Sequence, residues 1–262
     1  MPPTPLDPRL ATLLELTQIP TATGREGRVV RFIERWVAER PHLRLTPDSA
    51  GNLVLSRADA APVDSNAASA PLFITAHLDH PAFVVERVVS PGVVELSFRG
   101  GVMDVFFENA PITIHTGDEH APRTLPAVLT GAAPDQSPAG KHYYAEVEGN
   151  AAARLNMGDI ATWAFPPAEI DSQGIVHTHA CDDLAAAAAA LCAFDELTRI
   201  SSPAGAANPT STPRRDDSLN VHLLFTRAEE IGFIGAIAAC KLGTMPKGSR
   251  VVALENSPHS RV

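Results

Sequence analysis

The chain is poor in cysteine, in aromatic residues and in positive charge. Three cysteines in 262 residues (Cys181, Cys192 and Cys240) are too few for a disulfide framework, and none stands in the Cys-x-x-Cys spacing of a zinc site. Reduced thiols in a cytoplasmic protein are the expectation. Lys and Arg number 21 against 30 Asp and Glu, a formal charge of -9. That balance excludes the basic face of a general nucleic-acid or anionic-membrane binder. The doubled basic pair Arg214-Arg215 is cancelled at once by Asp216-Asp217. The longest strongly apolar run, residues 184–194, falls far short of the ~20 residues that cross a bilayer. The opening MPPTPLDPRL has no basic region followed by an apolar stretch, so no signal peptide is expected. What is present is 45% hydrophobic and 19% charged residues, enough to bury a sizeable core. At about 150 residues per domain, the length allows one large domain or two smaller ones.

Apolar Leu10, Leu13 and Leu14 recur at helical spacing over residues 8–17. Thr23-Gly24-Arg25-Glu26 reads as a capping box, and Val29, Val30, Ile33, Trp36 and Val37 then mark one face of a second helix until Pro41. Residues 52–56 read as a strand. Residues 58–71 and 201–217, rich in small, polar and proline residues, read as mobile surface loops. Four segments share one design, a short apolar run that exits into polar residues. They are 72–76 ending at His77, 175–176 leading through His177 and His179 to Asp182, 221–226 running out to Glu229, and 251–254 stopping at Glu255. Such runs suit strands buried on both faces of a helix-covered, largely parallel sheet, where ligands bind beyond the carboxyl ends. Residues 88–167 instead show short alternating strands: 93–98, 111–115, 125–129, 143–147 and 160–164. The expected fold class is α/β, with a small β-barrel or sandwich inserted into the sheet domain. Residues 1–87 and 168–262 would form the α/β domain and 88–167 the β-rich insert.

The polar residues at the strand exits are the candidates for chemistry. In His77-Leu78-Asp79 the carboxylate falls where it can orient the imidazole and raise its basicity as a metal ligand. Asp182-Asp183 opens a helix over 184–197 that contains six consecutive alanines, so the pair either caps that helix or bridges two cations. Glu229-Glu230 runs into Ile231-Gly232-Phe233-Ile234-Gly235-Ala236. Adjacent carboxylates repel unless a cation or shared proton intervenes. One of them would ligate a metal while the other acts as general base, or both are simply solvated. Glu255 ends an apolar strand, where it is either solvated or metal-bound. His42, His115, His120 and His142 read as surface or barrel residues and His222 as structural, whereas His80, His177 and His179 lie near enough to tune a site. Taken together, His77, Asp182, Glu229, Glu230 and Glu255 converge on one crevice. Oxygen and imidazole donors without thiolate suit two divalent cations such as zinc, cobalt or manganese. A pair about 3.5–4 Å apart clamps a carbonyl oxygen and activates a hydroxide.

The segments VHTHACDDLAAAAAAL, FTRAEEIGFIGA and ITAHLDHPAF resemble the three core motifs of the tetrahedral, glutamyl and deblocking aminopeptidases. These are dinuclear metallopeptidases of the zinc exopeptidase superfamily. The resemblance covers nearly the whole chain, since the β-rich stretch sits where this family places its oligomerisation domain. It implies a zinc-exopeptidase-like (phosphorylase/hydrolase-like) fold, a hydrolase acting on the N-terminal residues of peptides, and homo-oligomers from dimers to dodecamers. By resemblance His77 binds one metal and Asp79 orients it, and Asp182 bridges both. Glu229 is the general base, Glu230 ligates the second metal, and Glu255 stands where the family usually has Asp. Three departures are visible: His80 replaces the usual acid, Leu184 the usual Arg, and Glu255 is one methylene longer. Family members also continue past the Glu255 strand to a further His ligand, so the resemblance implies a C-terminally short chain in which His259 is too near in sequence to serve. The other readings are a related deacylase of N-acyl amino acids and a non-catalytic assembly subunit.

Overall fold

The computed structural model describes residues 6–60, 63, 70–117, 121–134, 141–200 and 220–256. The loop expected over 58–71 lies largely outside these residues and that over 201–217 wholly so, as do His120 and His259. Two helices come first, α1 (Pro8–Thr17) and α2 (Gly27–Ala38), followed by strands β1 (Leu43–Pro47), β2 (Leu53–Arg57) and β3 (Leu72–His77). Six barrel strands follow: β4 (Ala82–Ser90), β5 (Val93–Arg99), β6 (Pro111–Thr116), β7 (Arg123–Ala132), β8 (Lys141–Val147) and β9 (Ile160–Trp163). A ribbon of β10 (Glu169–Ile170) and β11 (Val176–His177) leads to α3 (Ala186–Ile200), β12 (Val221–Thr226), α4 (Ile234–Leu242) and β13 (Arg250–Ala253).

The central sheet runs β1-β2-β12-β3-β13. Both β12 and β13 lie parallel to β3, while β2 pairs antiparallel with β12 and with β1. Thr226 stands opposite His77, and Ala253 opposite Thr75. Strands β12 and β3 therefore end level with one another and β13 ends two residues earlier, so the three exits share one edge of the sheet. Strand β12 is apolar over Leu223, Leu224 and Phe225 because both its faces are covered. Leu223 and Phe225 pack with Val29, Ile33 and Trp36 of α2 and Leu191 and Phe194 of α3, while Leu224 packs with Val54, Phe73 and Ala239 on the opposite face. The alanines of α3 leave no bulk between that helix and its neighbours, and Ala187, Ala188 and Ala190 are buried in the same core.

One of the four expected strands does not join this sheet. Val176 and His177 pair only with Ile170 and Glu169 in the two-stranded ribbon, and Ile175 is exposed. Two apolar residues make too short a run to bury a strand on both faces. Asp171 also closes the chain locally, accepting the amides of Gln173 and Ile175. Asp182 is instead delivered by the turn that opens the following helix.

The six barrel strands close in the order β4-β5-β8-β7-β6-β9, so no edge is left unpaired. Each pairing within it is antiparallel. Phe83, Phe98, Phe107, Tyr143 and Trp163 fill the interior with mostly edge-on and tilted rings, Phe107 and Tyr143 stacking at 4.6 Å. Its first strand begins at Ala82, within the segment read from sequence as part of the α/β domain, so the barrel starts directly beyond His77-Leu78-Asp79-His80. Between 150 and 155 only a short 3-10 turn forms, over Ala151–Arg154.

The capping box expected before α2 does not form. That helix starts at Gly27, and Glu26 at its N-cap makes no capping hydrogen bond. The fully buried Glu26 carboxylate instead accepts from the Gly24 amide (2.9 Å), the Ala228 amide (3.1 Å) and the Arg227 guanidinium (3.0 and 2.5 Å). A charge-assisted pair to a distant loop outcompetes a local cap because the site is dry. From the other side Asn52 bonds to the Arg227 amide at 3.2 Å and to the Gly235 carbonyl at 3.0 Å. Gly235 has no room for a side chain: a Cβ there would lie 2.4 Å from the Arg227 carbonyl oxygen and 2.5 Å from Asn52 Oδ1. The loop between β12 and α4 is thus held by Glu26, Asn52 and a contact that requires glycine.

Two tests follow from this packing. Gly235→Ala should destabilise the fold by about 1–3 kcal/mol, the usual range for overpacking, read as a lowered midpoint in chemical denaturation. Asp195 on α3 is largely buried and bonds to Arg40 (3.0 Å), His42 (2.8 Å) and Arg199 (2.9 Å). Burial pushes its pKa up, but the hydrogen bonds from Arg40 and Arg199 outweigh this and hold it below the usual carboxylate range. Its contribution is therefore complete above the unfolded value of ~3.9 and fades as the pH falls through the lower folded value. Asp195→Asn should cost about 1–3 kcal/mol at pH 7, and the gap to wild type should narrow below about pH 4.

Candidate metal centre

His77 closes β3 with its ring almost wholly buried, 4% exposed. Its Nδ1 lies 3.1 Å from the Asp79 carbonyl oxygen and 3.6 Å from Asp79 Oδ1. That leaves Nε2 facing outward, 3.2 Å from Asp182 Oδ1 and 3.8 Å from Glu229 Oε2. Asp79 is fully buried and saturated by donors. It accepts from the Thr23 hydroxyl at 2.7 Å, the Glu229 amide at 3.0 Å and the Glu230 amide at 3.2 Å. Burial works against its charge, and these hydrogen bonds, with His77, still bring its pKa below the ordinary value. The Asp79 main-chain carbonyl therefore orients the ring, with the carboxylate close by, while the carboxylate pins the backbone of the Glu-Glu pair.

The Glu229-Glu230 loop turns tightly after β12. Ala228 and Phe233 have φ of 53° and 58° and Gly232 of 114°, and the amides of Gly232 and Phe233 both donate to the Glu229 carbonyl at 2.9 Å. Asp182 and Asp183, joined by a cis peptide, have different roles. Asp182 is partly exposed and faces His77, whereas Asp183 is fully buried and accepts the His77 backbone amide at 3.1 Å. Neither aspartate caps α3, which starts only at Ala186. Glu255 follows β13 by two residues, and next to it the Asn256 amide bonds to the Cys181 carbonyl at 2.6 Å, tying this exit to the Asp182 turn.

Ligand atoms of His77, Asp182 and Glu255 all lie within 4.8 Å of one another, and so do those of His77, Glu229 and Glu230. All five residues singled out as ligands or base are thereby gathered around a single imidazole edge. The charge there is lopsided. Burial raises Glu230 to about 7, with Glu229, Asp79 and Asp182 adding to the rise; burial also raises Asp183 to about 7, with Glu255 and Asp182 contributing. Glu255 is raised by burial and by its hydrogen bond with Asp182. Burial alone would lower His77, but Asp79, Asp183 and Glu229 raise it to about 9. Carboxylates this crowded favour a bound proton or a cation between them, and the donor set, one imidazole with several carboxylates and no thiolate, fits divalent zinc, cobalt or manganese. Cys181 is exposed and belongs to neither group.

His77 and Asp79 together with Glu229-Glu230 stood out in the sequence as motifs. Thr23, Glu26 and Asn52 did not stand out as parts of a site, because each acts through a partner far along the chain. For Asp183 the doubled aspartate was the available signal. Of the histidines considered as tuning residues, His80 contacts the site, His179 lines a cleft beside it, and His177 pairs with Asp171 on the ribbon. His222 is buried in β12 between Ser56 and Asn220, as a structural histidine.

No curated protein matches the sequence. Solved structures match its fold. An aminopeptidase, APDkam598, from the archaeon Desulfurococcus kamchatkensis superposes with a TM-score of 0.67 at 20% identity, covering 97% of this chain and 64% of its own. The Pyrococcus horikoshii TET1 peptidase, which can assemble into a tetrahedron or a large octahedral shell, gives 0.66 at 18% identity, covering 94% and 68%. A TET aminopeptidase from a marine sediment Thaumarchaeota archaeon gives 0.70 at 13% identity, covering 98% and 67%. The chain thus spans about two thirds of the length of these structures. Residues 61–247, more than half of the sequence and most of the residues gathered around His77, match the family model described as M42 glutamyl aminopeptidase, and the chain belongs to that family.

Proposed function

We propose that this chain carries the active site of a metal-dependent aminopeptidase that removes N-terminal residues from peptides. The observation that carries this reading is the convergence of two ligand triads on His77, in a chain of the M42 family. In the proposed site His77, Asp182 and Glu255 would hold one divalent ion, and Asp182 and Glu230 would help to hold a second, zinc being the first choice and cobalt or manganese the others. When bound, such ions polarise a scissile carbonyl and acidify water.

The remaining roles belong to the side chains. Asp79 fixes the His77 ring by its Nδ1 side and keeps Nε2 aimed into the site. Glu229, near His77 Nε2 and 22% exposed, takes a proton from the attacking water and returns it to the leaving amine. Its backbone is held by Asp79 and the turn that follows, so the carboxylate is placed without a reorganisation cost during the reaction. The open acidic crevice suits the protonated amino terminus of a peptide. The barrel, with Met103, Val105 and Phe106 exposed at one turn, is proposed as the assembly unit of a homo-oligomer.

Replacement of Glu229 by Gln tests the assignment. The variant should lose hydrolysis of aminoacyl p-nitroanilides by at least about a hundredfold, the low end for a general base, while still taking up zinc in a calorimetric titration. Wild-type cleavage of N-acyl amino acids alone would replace the peptidase with a deacylase, and a metal-free, inactive wild-type chain would remove the catalytic reading.

A further inference from the structure

His80 stands where the family resemblance leads one to expect an acid, and the structure gives it a contact that an ionised acid does not make. Its Nδ1 lies 2.6 Å from the carbonyl oxygen of Asp182. A carbonyl oxygen only accepts, so the ring nitrogen at that distance carries the proton. An ionised carboxylate in its place would set one acceptor against another. The ring sits in a narrow cleft between the sheet edge and the barrel, beside His115, Thr162 and Trp163 from β6 and β9 and His179 from the turn before α3. Ala180, with φ of 50°, and the Asn256 contact to the Cys181 carbonyl bend the same few residues. The turn carrying Asp182 is therefore gripped from two sides, by Asn256 at Cys181 and by His80 at Asp182 itself.

We propose that His80 is a positioning residue: as an Nδ1–H donor it fixes the Asp182 backbone and so aims the Asp182 carboxylate at His77 Nε2 and Glu255. The Asp182 side chain is 43% exposed and among the described residues His77 is its one buried partner, so its backbone is a handle for holding it. The same arrangement connects the site to the barrel. His80 is separated from β4 by Pro81 alone, so the brace comes from the residue that starts the barrel. This inference rests on the metal-site reading above, and the test separates the two.

The test compares His80→Ala, His80→Phe and His80→Gln with wild type and with His115→Ala, which alters the same cleft without touching Asp182. Hydrogen–deuterium exchange on metal-free protein should show faster exchange over residues 180–184 in the Ala and Phe variants. The Gln variant, which keeps an N–H donor, and the His115 variant should match wild type. Zinc titration should show affinity lowered about 10- to 100-fold in the Ala and Phe variants, the range for lost partners of ligating groups, with Gln restoring most of it. Unchanged exchange over 180–184 in both the Ala and Phe variants would overturn the brace whether or not zinc binds. Faster exchange with unchanged zinc affinity would overturn its role in aiming Asp182. A wild-type chain that binds no zinc would sink the metal-site reading, and the exchange data would then decide the brace alone.

Discussion

A single buried carboxylate, that of Asp79, holds the site together. Taking a charged carboxylate out of water costs several kcal/mol, about the penalty for an ion left in the interior after relaxation. Three donors from distant parts of the chain offset that cost: the Thr23 hydroxyl ahead of α2 and the amides of Glu229 and Glu230 beyond β12. Since Asp79 itself follows β3, its saturation locks three separate segments to one point. Loss of any of these donors leaves a buried acceptor unmatched, which is costlier than the bond itself is stabilising. The backbone of the Glu-Glu pair depends on this one group, and the main-chain carbonyl of the same residue orients His77.

A second buried acid repeats the device one layer further from the site. Glu26 binds Arg227 and the Ala228 amide, Asn52 takes the Arg227 amide and the Gly235 carbonyl, and Gly235 closes against the Arg227 backbone. The loop that carries Glu229 and Glu230 is therefore constrained at both ends before any cation is considered. Rigid support matters here because the side chains it presents repel one another. Asp182, Glu229, Glu230 and Glu255 share the edge of one imidazole, and the raised proton affinities of Glu230 and Glu255 record the strain of gathering them. A divalent ion relieves the same repulsion that protons relieve in its absence.

Much of this was legible along the chain, and the parts that were not have a common character. The amphipathic spacing of Val29, Ile33 and Trp36, the apolar runs of β3 and β12, and the short alternating strands of the barrel each encode their element locally, since side-chain burial follows the period of the backbone. Thr23 and Glu26 matched a capping pattern and were spent elsewhere, on Asp79 and Arg227. The Val176 segment resembled a strand yet was too short to enter the sheet. For Thr23 and Glu26 a contact from more than fifty residues away decided the outcome, and no local pattern records such a contact; for Val176 the run was short and Asp171 closed the chain locally.

The sequence by itself determined which side chains are available and where they leave the strands. A His, an Asp pair, a Glu pair and a Glu follow apolar runs, with glycines where a turn needs them. Folding alone decided that three of those runs leave the sheet at the same edge, because parallel register is set by packing across the sheet. It also decided that Asp182 faces the site while Asp183 turns inward to the His77 amide. Identical side chains one residue apart received different work, since burial and hydrogen-bond supply differ on the two sides of that turn.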